Sequence, residues 1–110
     1  ERFKNIGVKK IKLIHRGFFC LEEKKYRNSP KWNLIKKMKN QFPTLDIICD
    51  PSHISGNKKL LSTISKKAIS LGLNGLMIET HSSPKKALSD AKQQVNCAEF
   101  KELIKSLKLK

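Results

Sequence analysis

The sequence predicts an α/β chain of three βα units whose strands lie parallel in one sheet. Three short apolar runs, IKLIHR at 11–16, LDIICDPSH at 45–53 and GLMIETH at 75–81, each end in a cluster of ionisable residues. A helix-like stretch follows each run, the order by which consecutive βα units gather reactive side chains at one end of a parallel sheet. The 110 residues suffice for one domain with a modest core, and the apolar fraction of 38% is low for it.

Taken in order, residues 1–6 read as the tail of a helix closed by Gly7. The chain opens on Glu1, so the expectation is a chain cut from something longer. Val8 to Ile14 reads as a β-branched strand that Gly17 breaks. Residues 18–29 form a long polar excursion. Ser29 and Pro30 then supply a cap and a first-turn proline for a helix to about Asn40, with Trp32, Ile35 and Met38 in one core-facing stripe.

Phe42 and Pro43 return the chain to a strand at Leu45–Cys49, an almost continuous apolar run ended by Asp50-Pro51. After a turn at Gly56, a helix from about Lys58 to Leu71 buries Leu60, Leu61, Ile64, Ala68 and Leu71, and Gly72 closes it. Asn74-Gly75 opens the third strand, Leu76–Glu79. A short helical stretch near Pro84–Leu88 leads into SDAKQQV, which has no regular pattern. Asn96 with Glu99 forms a capping-box signature for a final helix whose Phe100, Leu103, Ile104 and Leu107 share a face. Three parallel strands joined by right-handed crossovers cannot close a barrel, so this is a small open sheet or the last part of a larger α/β fold. The start at Glu1 favours the second.

The net charge is +15, yet the basic residues are 21 Lys against 3 Arg, spread along the whole chain, and aromatic residues make up only 6%. A nucleic-acid reader enriches arginine for bidentate contacts and adds aromatic platforms, so the lysines read as solvated faces. Nothing approaches about 18 consecutive apolar residues and there is no signal-peptide pattern, so neither a membrane span nor secretion is indicated. Cys20, Cys49 and Cys97 lack C-x-x-C spacing and read as free thiols of a reducing compartment, with the cytoplasm as the expected location.

The carboxyl ends of the strands and the loops after them select His15 and Arg16, Asp50 and His53, Glu79 and His81, and Asp90. His53, Glu79 and Asp90 offer one imidazole nitrogen and two carboxylates from three loops, a set suited to a divalent ion. None follows a tight ligand spacing, and local caps and ion pairs account for the same residues. Asp50 before proline also suits an Asx turn. Arg16, at a strand end in a chain that otherwise chooses lysine, points to a bidentate contact with phosphate or carboxylate. Asn57-Lys58-Lys59 at a helix start is either a phosphate cradle or a solvated face. His15 and His81 suit hydrogen-bonded structural groups better than catalytic ones. There is no P-loop, dinucleotide fingerprint or nucleophile elbow.

Together, IHRGF at 14–18, ICDPSHISGNKKL at 48–60 and GLMIETHSSPKKALSDAKQQ at 75–94 resemble the C-terminal part of the 3-deoxy-D-arabino-heptulosonate 7-phosphate (DAHP) synthases. The closer match is to the type fused in some bacteria to chorismate mutase, and YRNSPKW at 26–32 fits that subgroup. The resemblance covers nearly the whole chain. It implies a TIM (β/α)8 barrel of which residues 1–110 supply the last three units, strands six to eight. It also implies an aldol-type condensation of phosphoenolpyruvate with erythrose 4-phosphate, giving DAHP and phosphate in the shikimate pathway.

By the same resemblance, His53, Glu79 and Asp90 match three of four ligands of a divalent metal ion (Mn, Fe, Co or Zn). Arg16 matches a substrate-binding arginine that grips phosphoenolpyruvate. Asp50 matches the acidic residue beside the metal and joins Arg16 and His53 in the catalytic set. The family's fourth ligand is a cysteine of an early strand, which Cys20, Cys49 and Cys97 do not match in position. The chain alone is therefore expected to be inactive. Its implied partners are the remaining barrel segment, a fused chorismate mutase domain and further copies in a homo-oligomer. The competing readings are a related sugar-acid synthase using arabinose 5-phosphate, which the SDAKQQ segment disfavours, a basic nucleic-acid-binding module, and a structural fragment that completes a barrel only with a partner chain.

Overall fold

In the computed structural model, which describes residues 2–109, the three apolar runs form parallel strands β1 (Lys12–His15), β2 (Asp46–Cys49) and β3 (Gly75–Leu76), in that spatial order. Leu13 pairs with Ile47 and His15 with Cys49, while Ile48 pairs with Gly75 and Cys49 with Leu76. Side chains alternate along a strand, so Leu13, His15, Ile47, Cys49 and Leu76 share one face, and Ile14, Ile48 and Met77 share the other. Helices cover the first face, where Ile47 and Cys49 are buried. Ile14 and Met77 on the second are 45% and 44% exposed. The fold is thus α/β with an unclosed three-stranded parallel sheet, consistent with a segment of a (β/α) barrel.

The helices are α1 (Arg2–Asn5), α2 (Trp32–Gln41), α3 (Pro51–Ser55), α4 (Leu61–Ser70) and α5 (Cys97–Leu107). Cys49, Ile54, Ile64 and Ala68 form one buried cluster, flanked by Trp32, Tyr26, Leu60 and Leu73. Leu61, Val95, Leu103 and Leu107 form a second, and Leu76 packs against both. The capping box of α5 closes in both directions: Glu99 N–H donates to Asn96 Oδ1 at 2.9 Å, and Asn96 N–H to Glu99 Oε2 at 2.8 Å. Among the described residues no helix is long and apolar enough to cross a membrane.

Several expected boundaries move, most of them where a long-range contact overrides a local signal. The first strand is only Lys12–His15, since β2 offers partners to those residues alone. Ser29 does not cap α2. It exchanges two backbone hydrogen bonds of 2.8 Å with Phe18 across the polar excursion, and α2 starts after Lys31. The segment after Asp50 is helical: Asp50 caps α3 with Pro51 in its first turn. The helix expected from Lys58 divides into a 3₁₀ turn, Lys58–Leu60, and α4. The third strand stops at Leu76. Its partner β2 turns into α3 at Asp50, Met77 N–H makes a last bond to the Cys49 carbonyl, and Glu79 N–H turns to Ser52 Oγ at 3.0 Å.

Candidate metal-binding site

The site is built around Asp50, which is buried where β2 passes into α3. Its Oδ1 accepts the His53 backbone N–H at 3.0 Å, and its Oδ2 lies 2.7 Å from His53 Nδ1. A carboxylate at Nδ1 favours the proton there and leaves the lone pair on Nε2. That nitrogen faces Glu79, whose Oε1 is 3.4 Å away. Asp50 Oδ2 also lies 3.5 Å from Nε of Arg16, whose side chain is 56% exposed at the end of β1.

Glu79 follows β3 and is held by Ser52 at its backbone and by Gln93, whose Nε2 donates to Oε2 at 2.7 Å. Asp90 occupies a left-handed backbone conformation, φ 51°, which aspartate visits more readily than most residues. Its Oδ1 accepts from Arg27 Nη1 at 2.7 Å. His53, Glu79 and Asp90 each present one ligand atom, and these atoms all lie within 4.8 Å of one another. One imidazole nitrogen, oriented by a carboxylate, with two carboxylates is a donor set that fits Mn²⁺, Fe²⁺, Co²⁺ or Zn²⁺.

The other candidates from the sequence stay outside this cluster. His15 is buried with its ring edge-on to Trp32, the centroids 5.2 Å apart. Burial pushes its pKa down to about 4, against the opposing effect of a hydrogen bond with the Pro30 backbone. It is a neutral packing group. His81 Nδ1 accepts the Ser83 N–H at 2.9 Å and shapes its own loop. Lys58 is engaged within the fold: both carboxylate oxygens of Glu99 are 2.9 Å from its Nζ, so it anchors α5. Cys49 is buried, and desolvation together with the Asp50 charge raises its thiol to about 12. All three cysteines are free thiols.

His15 has a consequence in solution. Its native pKa lies below the ordinary 6.5, so between pH 6.5 and about 4 the unfolded chain binds a proton that the native chain refuses. Stability from this group is therefore complete above pH 6.5, falls as pH drops through that window and levels off below it. We expect the Tm of wild type to fall on the order of 5 °C more than that of His15→Phe between pH 7 and 4.5. Parallel pH profiles of the two proteins would remove the attribution to His15.

Sequence reasoning missed Arg27 and Gln93. Arg27 Nη1 reaches both Asp90 Oδ1 and, at 2.8 Å, Gln93 Oε1. As one of three arginines in a lysine-rich chain, Arg27 shared the scarcity that marked Arg16 but not its place at a strand end. Gln93 lies in the segment without regular pattern, and its one signal was membership of the SDAKQQ run that contributes to the family resemblance.

Comparison with known proteins bears on this arrangement. A family profile described as "DAHP synthetase I family" matches residues 1–109. The chain is similar to phospho-2-dehydro-3-deoxyheptonate aldolase of Thermotoga maritima, 37% identical over 108 residues, which are 98% of this chain and 31% of that protein. It therefore spans about a third of that relative's length. It is 36% identical over 53 residues, 48% of this chain and 19% of the relative, to 2-dehydro-3-deoxyphosphooctonate aldolase of Legionella pneumophila. Among solved structures, that of a phospho-2-dehydro-3-deoxyheptonate aldolase (DAHP synthase) from Thermotoga maritima superposes with a TM-score of 0.84 at 36% identity, over 98% of this chain and 31% of that one. A truncated form of 3-deoxy-D-arabino-heptulosonate 7-phosphate synthase from the same organism superposes with a TM-score of 0.80 at 36% identity, over 96% of this chain and 39% of that one.

Proposed function

We propose a function from one premise: the chain belongs to the DAHP synthetase I family. Residues 1–110 supply strands six to eight of a (β/α)8 barrel. The complete enzyme condenses phosphoenolpyruvate with erythrose 4-phosphate to DAHP and phosphate. The observation that carries this reading is the convergence of His53, Glu79 and Asp90, drawn from three loops, onto one point at the end of the sheet where Arg16 also stands. The heptonate relative matches 108 residues and the octonate relative 53, which supports the erythrose enzyme over the arabinose one.

In this reading His53 Nε2, Glu79 Oε1 and the free oxygen of Asp90 hold a divalent metal ion. Bound there, the ion supplies Lewis acidity toward the aldehyde oxygen of the sugar phosphate. Asp50 keeps the His53 proton on Nδ1 and restrains the Arg16 guanidinium, so one buried carboxylate links the metal ligand to the anion clamp. Arg16, largely exposed at the strand end, receives the phosphoenolpyruvate anion through its planar fork. Held so, C3 of phosphoenolpyruvate attacks the aldehyde carbon, water adds at C2, and the hemiketal phosphate releases inorganic phosphate. The excess of 15 positive charges raises the local concentration of both anionic substrates. The remaining strands, a fused chorismate mutase domain, assembly into a homo-oligomer and a cytoplasmic location belong to the same proposal.

Titration calorimetry with Mn²⁺ tests the site. Three protein donors, one fewer than the family's set, lead us to expect a dissociation constant weaker than micromolar that Glu79→Ala abolishes. Micromolar or tighter binding that survives Glu79→Ala would remove Glu79 from the ligand set.

A further inference from the structure

Two residues outside the ligand set decide which carboxylate oxygens face the ion. Gln93 is only 1% exposed. An arginine nitrogen can only donate, so the Arg27 Nη1 contact at 2.8 Å identifies the facing Gln93 atom as its oxygen. The Gln93 amide nitrogen must then point to Glu79 Oε2, 2.7 Å away. With Oε2 engaged, Glu79 keeps Oε1 for the site, the atom 3.4 Å from His53 Nε2. The same Nη1 binds Asp90 Oδ1 at 2.7 Å and leaves Oδ2 as that residue's free oxygen.

Arg27 is itself fixed to the helix that carries His53. Its backbone N–H donates to the Ser55 carbonyl at 3.4 Å, Asn28 N–H to the Ile54 carbonyl at 3.2 Å, and Asn28 Nδ2 to the His53 carbonyl at 2.9 Å. Gly56, at φ +69°, lets this strap lie close, since a Cβ there would fall 2.7 Å from Arg27 Cβ. One guanidinium on the strap thus connects α3 to the two carboxylates of the third βα unit. Its charge also opposes the repulsion between those carboxylates.

We propose that Arg27 and Gln93 form a positioning relay that presets Glu79 and Asp90 as single-oxygen ligands, with Arg27 acting on Asp90 directly and on Glu79 through Gln93. The proposal rests on the metal-site reading above. Both act through the contacts they make with Glu79 and Asp90. They act by holding two ligands in place before the ion arrives, which is where hydrogen-bonded partners of metal ligands exert effects of about 10–100-fold on affinity.

The test is titration of the 110-residue chain with Co²⁺, followed by calorimetry and by visible absorption, which reports how many ligand atoms surround the ion. Gln93→Leu and Arg27→Gln are each expected to weaken Co²⁺ binding at least about tenfold and to alter the visible bands, because a released Glu79 can offer both oxygens. The double variant should lose less than the product of the single losses, since both act on Glu79 in series. Unchanged affinity and unchanged bands in Gln93→Leu, with binding still abolished by Glu79→Ala, would overturn the relay and leave the metal site standing. Failure of wild type to bind Co²⁺, or equal binding by Glu79→Ala, would overturn the metal site and the relay with it. Far-UV circular dichroism checks folding. Should Gln93→Leu not fold, Arg27→Gln at its half-exposed position decides by the same two readouts.

Discussion

Incubated with phosphoenolpyruvate, erythrose 4-phosphate and Mn²⁺, the 110-residue chain is expected to form no DAHP and to release no inorganic phosphate above background. Among the described residues the cluster offers three candidate ligands, and the family resemblance implies a fourth, a cysteine on an early strand. The open sheet leaves Ile14 and Met77 facing solvent where a closed barrel would exclude it. Water at that face screens Arg16 and the carboxylates, so charge developing on the substrates gains little from them. Mixing the chain with a segment that supplies the first five strands of a family member should restore turnover. Product formation by the isolated chain would overturn the proposal that the active site is shared with the remaining barrel.

Ile54→Ala is expected to destabilise the chain by about 2–5 kcal/mol, read as a lower urea midpoint. Ile54 is 0% exposed and packs with Cys49, Ile64 and Ala68. Removing three carbons there leaves a cavity that neighbours on α4 and β2 cannot all close. A domain of this size holds only about 5–15 kcal/mol in total, so the loss is a large share. It also reaches the site, because Ile54 follows His53 on α3 and its carbonyl receives the strap at Asn28. Leu88→Ala, at a fully exposed position, should change stability by less than about 0.5 kcal/mol. Equal midpoints for the two variants would show that α3 is not seated on this core.

The elements that were legible are those with a local cause. The α5 capping box needs only Asn96 and Glu99, three residues apart, and it forms as read. The stripe of α4 follows helical spacing, and Leu61, Ile64 and Ala68 are buried as that spacing requires. His53, Glu79 and Asp90 were legible as candidates because strand ends in a parallel sheet converge, and the three do meet. Ser29 was misread because its local signature suits a cap equally well, and the contact that overrides it comes from Phe18, eleven positions earlier.

By itself the sequence determined the α/β class, the order of three βα units and the loops that carry the candidate ligands, because periodicity and capping act within a few residues. Only the tertiary structure decided that β3 ends at Leu76, that His15 is buried and neutral, and that Lys58 pairs with the Glu99 carboxylate. It alone brought Arg27 to Asp90 and Gln93, contacts that span 63 and 66 positions of chain. No spacing rule encodes such pairs. They exist because packing of Arg27 and Asn28 on α3 brings the guanidinium within reach of Asp90, and because Gln93, buried in the interior, must find partners for its amide where water is excluded.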